Sequence, residues 1–137
     1  MKTTELRLGN WIQGVRTYKD KTYTDIPMFV ESIFNDTIYA DFEDNVADVW
    51  EYTESEIQGV PLTDDIFRKI EGVSVEKIVD DEVSFFCYEI KDIAFYESTM
   101  NDGYLVEVNG KEMVISYVHE LQNLYFTLTK EELKIKL

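Results

Sequence analysis

Apolar and polar positions alternate with a period of two over much of the chain, and turn residues cut that alternation into short runs. Gly9-Asn10 makes a tight corner before Trp11-Ile12-Gln13-Gly14-Val15, which reads as a strand. Pro27 opens a second run, Met28 to Phe34. Asn35-Asp36 separates this from Thr37 to Phe42, and an Asn at the first loop position suits a two-residue hairpin because it tolerates positive φ. Glu43-Asp44-Asn45 makes the next turn, into Val46 to Tyr52, and a last short run, Ile57 to Val60, stops at Pro61. Five short strands within about 60 residues predict a small closed barrel that removes its own edges.

Beyond Pro61 the pattern changes. Thr63 can cap a helix, Asp64 and Asp65 favour its positive N-terminus, Ile66, Phe67 and Ile70 give it an apolar stripe, and Gly72 ends it. Strand-like runs follow at Val73 to Val79, Val83 to Ile90 and Ile93 to Tyr96. Within them Ser84-Phe85-Phe86-Cys87-Tyr88 is apolar on both faces, which predicts a central strand covered from both sides. Glu97 to Gly103 reads as loop. Tyr104 to Val108 and Lys111 to Ile115 flank Asn109-Gly110, the strongest hairpin signal in the chain. Ser116 then caps a helix from Tyr117 to Thr127, in which Tyr117, Val118, Leu121, Leu124, Tyr125 and Leu128 share an arc of roughly 120°. Thr129-Lys130-Glu131-Glu132 has capping-box spacing and predicts a short helical turn through Leu133, and the alternating tail Lys134 to Leu137 predicts a terminal strand. The expected fold class is α+β, with a small β-barrel over residues 1–60 and, over 61–137, an antiparallel sheet with two helices.

Composition adds a strong electrostatic bias. The 137 residues carry 28 acidic and 13 basic side chains, a net charge of −15. At 45% hydrophobic the chain can bury a core, so disorder of the whole is excluded. No apolar run approaches the roughly 20 residues that span a bilayer, and no apolar stretch follows Met1-Lys2-Thr3-Thr4-Glu5 to suggest a signal peptide. Cys87 is the single cysteine and cannot staple the chain internally, which fits a reducing, cytoplasmic compartment. The acids are unevenly placed: from Thr22 to Phe67 there are twelve and no Lys or Arg, with the densest part at Asp41 to Glu56.

Candidate chemistry is sparse. His119, the only histidine, falls near the arc opposite the leucine stripe, with Asn123 within reach at i+4, and reads as a surface residue. Cys87 shares a face with Val83 and Phe85 and reads as a buried, unreactive thiol. No Cys or His pair has zinc-ligand spacing, and the six glycines form neither a dinucleotide fingerprint nor a phosphate loop. The run from Asp41 resembles a calcium loop but has Val46 where glycine is required and Tyr52 where the bidentate glutamate belongs. The residues thus imply neither an enzyme nor a cofactor. Affinity for nucleic acid rests on Lys and Arg, and the small basic-aromatic group Arg16, Tyr18, Lys19, Lys21 and Tyr23 cannot offset −15, so direct nucleic-acid binding is not expected.

The function that fits is a non-enzymatic interaction protein that binds a protein partner through an acidic surface. Its contact residues are Asp41, Glu43, Asp44, Asp48 and Glu51, with Trp50 or Tyr52 as aromatic anchors. A second reading makes the acidic surface a mimic of a phosphate backbone that inhibits a DNA- or RNA-binding protein. A third has converging carboxylates bind a metal for hydrolysis.

Three segments, Glu5-Leu6-Arg7-Leu8-Gly9-Asn10-Trp11-Ile12, Val60-Pro61-Leu62-Thr63 and Tyr117 to Leu133, together resemble a family of small uncharacterised proteins from anaerobic gut bacteria and their phages or prophages. The resemblance covers about a quarter of the chain. It implies a mobile-element setting and an N-terminal barrel similar to SH3-like modules. It implies no activity and transfers no catalytic residue.

Overall fold

The computed structural model describes residues 1–24, 26–41, 49–98 and 102–137, with the side chains of 16–18 and 23 left aside. The chain is mostly β, in two antiparallel sheets with two short helices, an α+β architecture. The first sheet contains β1 (Trp11–Tyr18), β2 (Lys21–Thr24), β3 (Met28–Phe34), β4 (Thr37–Asp41), β5 (Trp50–Thr53) and β6 (Ile57–Gly59). Its order is β2-β1-β3-β4-β5, and β6 also pairs with β1. The turn expected at 43–45 and the run expected from Val46 to Asp48 lie outside the described residues.

The hub is β1, whose first residues pair with β3 and β6 while its far half pairs with β2. The hairpin that makes β2 escapes sequence reading because its loop, Lys19-Asp20, holds two non-glycine residues at positive φ, 49° and 63°. The expected closed barrel is not found. Among the described residues β5 and β6 share no ladder, because the chain between them is taken up by a one-turn 3-10 helix, Glu54–Glu56. Glu56 closes that turn by accepting from the Thr53 backbone N–H at 2.9 Å and from its hydroxyl at 2.8 Å. One face of this sheet buries Ile12, Met28, Val30, Ile38, Ala40, Tyr52 and Ile57 with Leu6.

The second half follows its turn chemistry closely. Thr63 accepts the Ile66 backbone N–H at 3.2 Å and caps α1 (Asp64–Arg68). Then β7 (Ser74–Asp80), β8 (Val83–Ile90), β9 (Ile93–Glu97), β10 (Tyr104–Val108) and β11 (Lys111–Ile115) form a meander in which each strand pairs with the next. Phe67 stacks on Tyr88 at 4.6 Å between centroids, with Phe95 and Tyr104 beside them, at the centre of the larger core. Both helices cover one face of this sheet. The expectation that Ser84 to Tyr88 is covered on both sides therefore fails in part: Cys87 and Tyr88 are buried, whereas Phe85 and Phe86 are half-buried and Val83 and Ser84 exposed.

Helix α2 (Val118–Thr129) starts one residue later than expected, with Tyr117 rather than Ser116 at the cap position. Glu120 accepts the backbone N–H groups of Ser116 and Tyr117, each at 3.2 Å. Of the expected stripe, Val118, Leu121 and Tyr125 are buried and Leu124 half-buried, but Tyr117 and Leu128 are about two-fifths exposed. His119 and Gln122 are buried instead. The reason is a second contact: α2 lies against the second sheet on one side and against residues 5–11 on the other. No helical turn follows Thr129, because Lys130 is left-handed at φ 62° and ends the helix. The tail forms no strand. It packs Leu133, Ile135 and Leu137 onto the large core, and the Lys134 carbonyl accepts the Glu71 N–H at 3.0 Å.

Three segments meet at α2. Residues 60–62 run antiparallel to 116–118, with Val118 N–H donating to the Val60 carbonyl and Leu62 N–H to the Ser116 carbonyl, both at 2.9 Å. On the other side Gln122 acts as a substitute strand. Its amide nitrogen donates to the Gly9 carbonyl at 3.0 Å and its oxygen accepts the Trp11 backbone N–H at 2.8 Å. Asn123 accepts from Asn10 at 2.9 Å and donates to the Glu5 carbonyl at 2.9 Å. Trp11 thereby enters the large core, against Phe29 at 5.8 Å, so that core draws residues from both sheets. No described helix is long and apolar enough to cross a membrane.

Because Gln122 is only 4% exposed, Gln122→Leu strands two backbone groups without partners. Urea unfolding is expected to show a loss of about 3 kcal/mol. Leu128→Gln, on the exposed side of the same helix, should stay within about 0.5 kcal/mol of the parent.

Candidate functional site

The acidic residues expected to form one patch are distributed differently. Glu43, Asp44 and Asp48 lie outside the described residues. Asp41 ends β4 and is 7% exposed, in the register row that contains Phe29 and Trp11. Glu51 is exposed on β5 opposite Tyr39, and Trp50 is 42% exposed opposite Ala40. Since successive side chains of a strand point to opposite faces, Trp50 and Glu51 look in different directions from the edge of the first sheet. Tyr52, the other candidate anchor, is buried, with its hydroxyl 3.7 Å from the Met28 sulfur.

Sequence reading missed a cavity of about 670 Å³ between β6, the N-terminal segment and the start of α2, lined by Glu5, Gln58, Gly59, Tyr117, His119 and Asn123 among others. His119 is 4% exposed, not on the surface, because β6 and Glu5 cover the helix face it occupies. A Cβ at Gly59 would come within 2.7 Å of the Tyr117 ring and 2.9 Å of His119 Cε1. The glycine in β6 is therefore what lets the stacked Tyr117 and His119 rings, 5.7 Å apart, close onto the sheet. A glycine inside a short apolar strand was the one available signal. Asn123 does not bond His119 as its spacing allowed. It is spent on Asn10 and Glu5.

The cavity is poorly equipped for acid–base work. His119 Nε2 stands 4.0 Å from a Glu5 carboxylate oxygen, beyond hydrogen-bond distance. Nδ1 is buried with no hydrogen-bond partner among the described residues. Burial pushes the imidazole below its ordinary value, and the Glu120 and Glu5 charges offset only part of that push.

A second titratable cluster lies at the start of α1. Tyr104 Oη donates to Asp64 at 2.7 Å, and Glu97 faces the same carboxylate. Burial pushes Asp64 up, but its hydrogen bonds more than offset this and hold it below the usual range. Burial and the neighbouring Asp64 charge both raise Glu97. The Tyr88 hydroxyl, nearby and buried, makes no hydrogen bond of ordinary geometry among the described residues. Across the described residues no three His, Cys, Asp or Glu side chains converge to hold a metal ion. Cys87 is buried as expected, and burial, with the Glu76 and Glu89 charges, pushes its thiol up.

Two pH dependences follow. The depressed His119 pKa means that the unfolded chain binds the proton better, so its contribution is intact above about pH 6.5 and is lost as pH falls through the folded value. Urea midpoints measured from pH 7.5 to 5 should therefore fall less steeply for His119→Gln than for the parent. For Glu97 the sign is opposite: its raised pKa favours the folded state at low pH, and that benefit is lost as pH rises above about 4.5. Glu97→Gln should raise the urea midpoint at pH 7, with the gain vanishing by pH 4.

Searches of protein families, curated proteins and solved structures found no match to this chain.

Proposed function

We propose that the protein is a non-enzymatic binding protein that engages a basic partner protein through its acidic surface. One observation carries the reading: 28 acidic side chains face 13 basic ones, and several of those cations are tied into the fold. Arg7 pairs with Glu132 and lies 4.0 Å over the Phe126 ring, Lys91 pairs with Glu131, and Arg68 sits 5.1 Å over Phe86. The field presented to a partner is thus strongly negative, which attracts a basic protein and repels nucleic acid. The strand order β6-β1-β3-β4-β5, with a 3-10 turn before β6, supports reading residues 1–60 as an SH3-like module. The resemblance at Glu5 to Ile12, Val60 to Thr63 and Tyr117 to Leu133 supports a phage or mobile-element setting, and these are the segments that meet at α2.

Affinity capture from the host cell, followed by mass spectrometry, tests the function. A basic protein should be retained at low salt, retained equally after nuclease treatment, and released at high salt, because attraction between exposed charges decays over about 8 Å at physiological ionic strength. Trp50→Ala combined with Glu51→Lys should reduce retention several-fold if β5 is part of the contact. Capture that depends on nucleic acid, or is indifferent to salt, would count against the reading.

A further inference from the structure

The helices cover one face of the second sheet, and the opposite face is organised. Partners directly opposite in an antiparallel ladder share a face, so the register places Glu76, Cys87, Tyr96, Leu105 and Val114 in one row across all five strands. Ile78 and Phe85 form a shorter row beside it, and the Phe85 and Tyr96 rings meet edge-on at 6.3 Å. Tyr96 and Val114 are each 39% exposed, and Leu105, Ile78 and Phe85 are half-buried. Cys87 itself is buried, so the accessible stripe runs over Phe85, Tyr96, Leu105 and Val114 on four adjacent strands, about 14 Å.

Glutamates border it. Glu107 and Glu112 stand directly opposite each other on β10 and β11, Glu89 lies in line with them on β8, and Glu76 ends the Cys87-Tyr96 row on β7. All four are exposed. The strand lysines Lys77 and Lys111 face the other way, opposite Phe86 and Val108, so among the described strand residues this face holds no cation. Like charges directly opposite in a ladder are destabilising, so Glu107 and Glu112 cost the free protein stability that a cation from outside would restore. The carboxylates are close enough to the stripe for Glu76 and Glu89 to act on the Cys87 thiol.

We propose that this face docks a basic amphipathic helix of a partner protein, its apolar stripe along Phe85, Tyr96, Leu105 and Val114 and its Lys or Arg side chains against Glu89, Glu107 and Glu112. The occupant is a helix because a sheet face, unlike an edge, offers no free backbone ladder, and about 14 Å matches about two and a half helical turns. A second copy of this chain would bring the same carboxylates and the same −15, and an anionic membrane would be repelled. The inference rests on the acidic-surface reading and assigns that surface a position and a partner chemistry.

The test uses an 18-residue amphipathic helical peptide of leucine and lysine, and the same peptide with glutamate for lysine, at 150 mM salt by calorimetry and amide chemical-shift mapping. The lysine peptide should bind one to one, with shifts concentrated on β8 to β11, and the glutamate peptide should not bind. Tyr96→Ser and Leu105→Ser should each weaken binding about tenfold. Glu112→Lys should weaken it similarly while leaving the thermal midpoint unchanged or higher, because it gives Glu107 a cross-strand ion pair; loss of binding is then not loss of fold. Shifts centred on Trp50 and Glu51, or affinity unmoved by Leu105→Ser and Glu112→Lys, would overturn this face while leaving the acidic-surface reading standing. Absence of binding to the lysine peptide even at 20 mM salt would overturn both.

Discussion

The start of the first sheet is fixed by one side-chain amide. Gln122 offers its oxygen to the Trp11 N–H and its nitrogen to the Gly9 carbonyl, the two bonds a neighbouring strand would otherwise make. Trp11 is the first residue of β1, and β1 carries β2, β3 and β6, so fixing residues 9–11 on α2 fixes where the first sheet begins. Asn10, 1% exposed, accepts the Arg7 N–H at 2.6 Å and donates to Asn123. In a low-dielectric interior such a network is strong when complete and costly when one member is lost, which gives the placement of the sheet a single well-defined answer. The resulting insertion of Trp11 into the large core couples the two sheets through apolar contact as well.

This constraint also explains where sequence reading worked and where it did not. The five-strand meander was legible because each of its signals is local: Thr63 caps, Asn109-Gly110 turns at φ 53° and 79°, and alternation sets the register. The β1–β2 hairpin was hidden because Lys19-Asp20 adopts the same kind of turn without the residues that advertise it. His119 was misplaced, and Gln122 carried no signal, for a different reason. Helical periodicity reports the widest apolar arc, and α2 has a second, polar buried face whose partners, Glu5 to Trp11, are more than a hundred residues away in sequence. A polar residue buried by a hydrogen-bonded partner carries no hydrophobic signature, so no count of leucines finds it. The expected acidic contact residues rest on charge density along the chain, which ignores the pleat: Trp50 and Glu51 are neighbours in sequence and look in opposite directions.

The second sheet shows what one-sided coverage does to a sequence. Strands covered by helices on one face need apolar residues at alternate positions only, yet β8, β9 and β10 are apolar at both parities in part of their length, at Phe85 and Phe86, Phe95 and Tyr96, Leu105 and Val106. One parity builds the core around Phe67, Tyr88 and Phe95. The other builds a stripe on the uncovered face, and local β-propensity favours these residues in a strand whichever way they point. Folding alone accounts for the first set. It does not account for a stripe bordered by glutamates, two of which repel each other across the ladder.

The distribution of cations completes the picture. The chain has few of them, and Arg7, Arg68 and Lys91 are placed where they serve the fold: over an aromatic ring, beside the α1 cluster, and at the end of α2. Exposed ion pairs contribute little energy individually, so the effect of this placement on stability is small. Its effect on the surface is larger. Each cation held against Glu131, Glu132 or a ring is one fewer on the outer face of the second sheet, where the described strands present glutamate and no lysine. A net charge of −15 could be spread evenly and mean only solubility. On the outer face of the second sheet it is not even: Glu76, Glu89, Glu107 and Glu112 stand beside an apolar row, while Lys77 and Lys111 face the other way. Hydrophobic contact of that kind is non-directional and accepts many partners, while the surrounding charge favours those of opposite sign, so in the proposed docking the carboxylates would supply the selectivity.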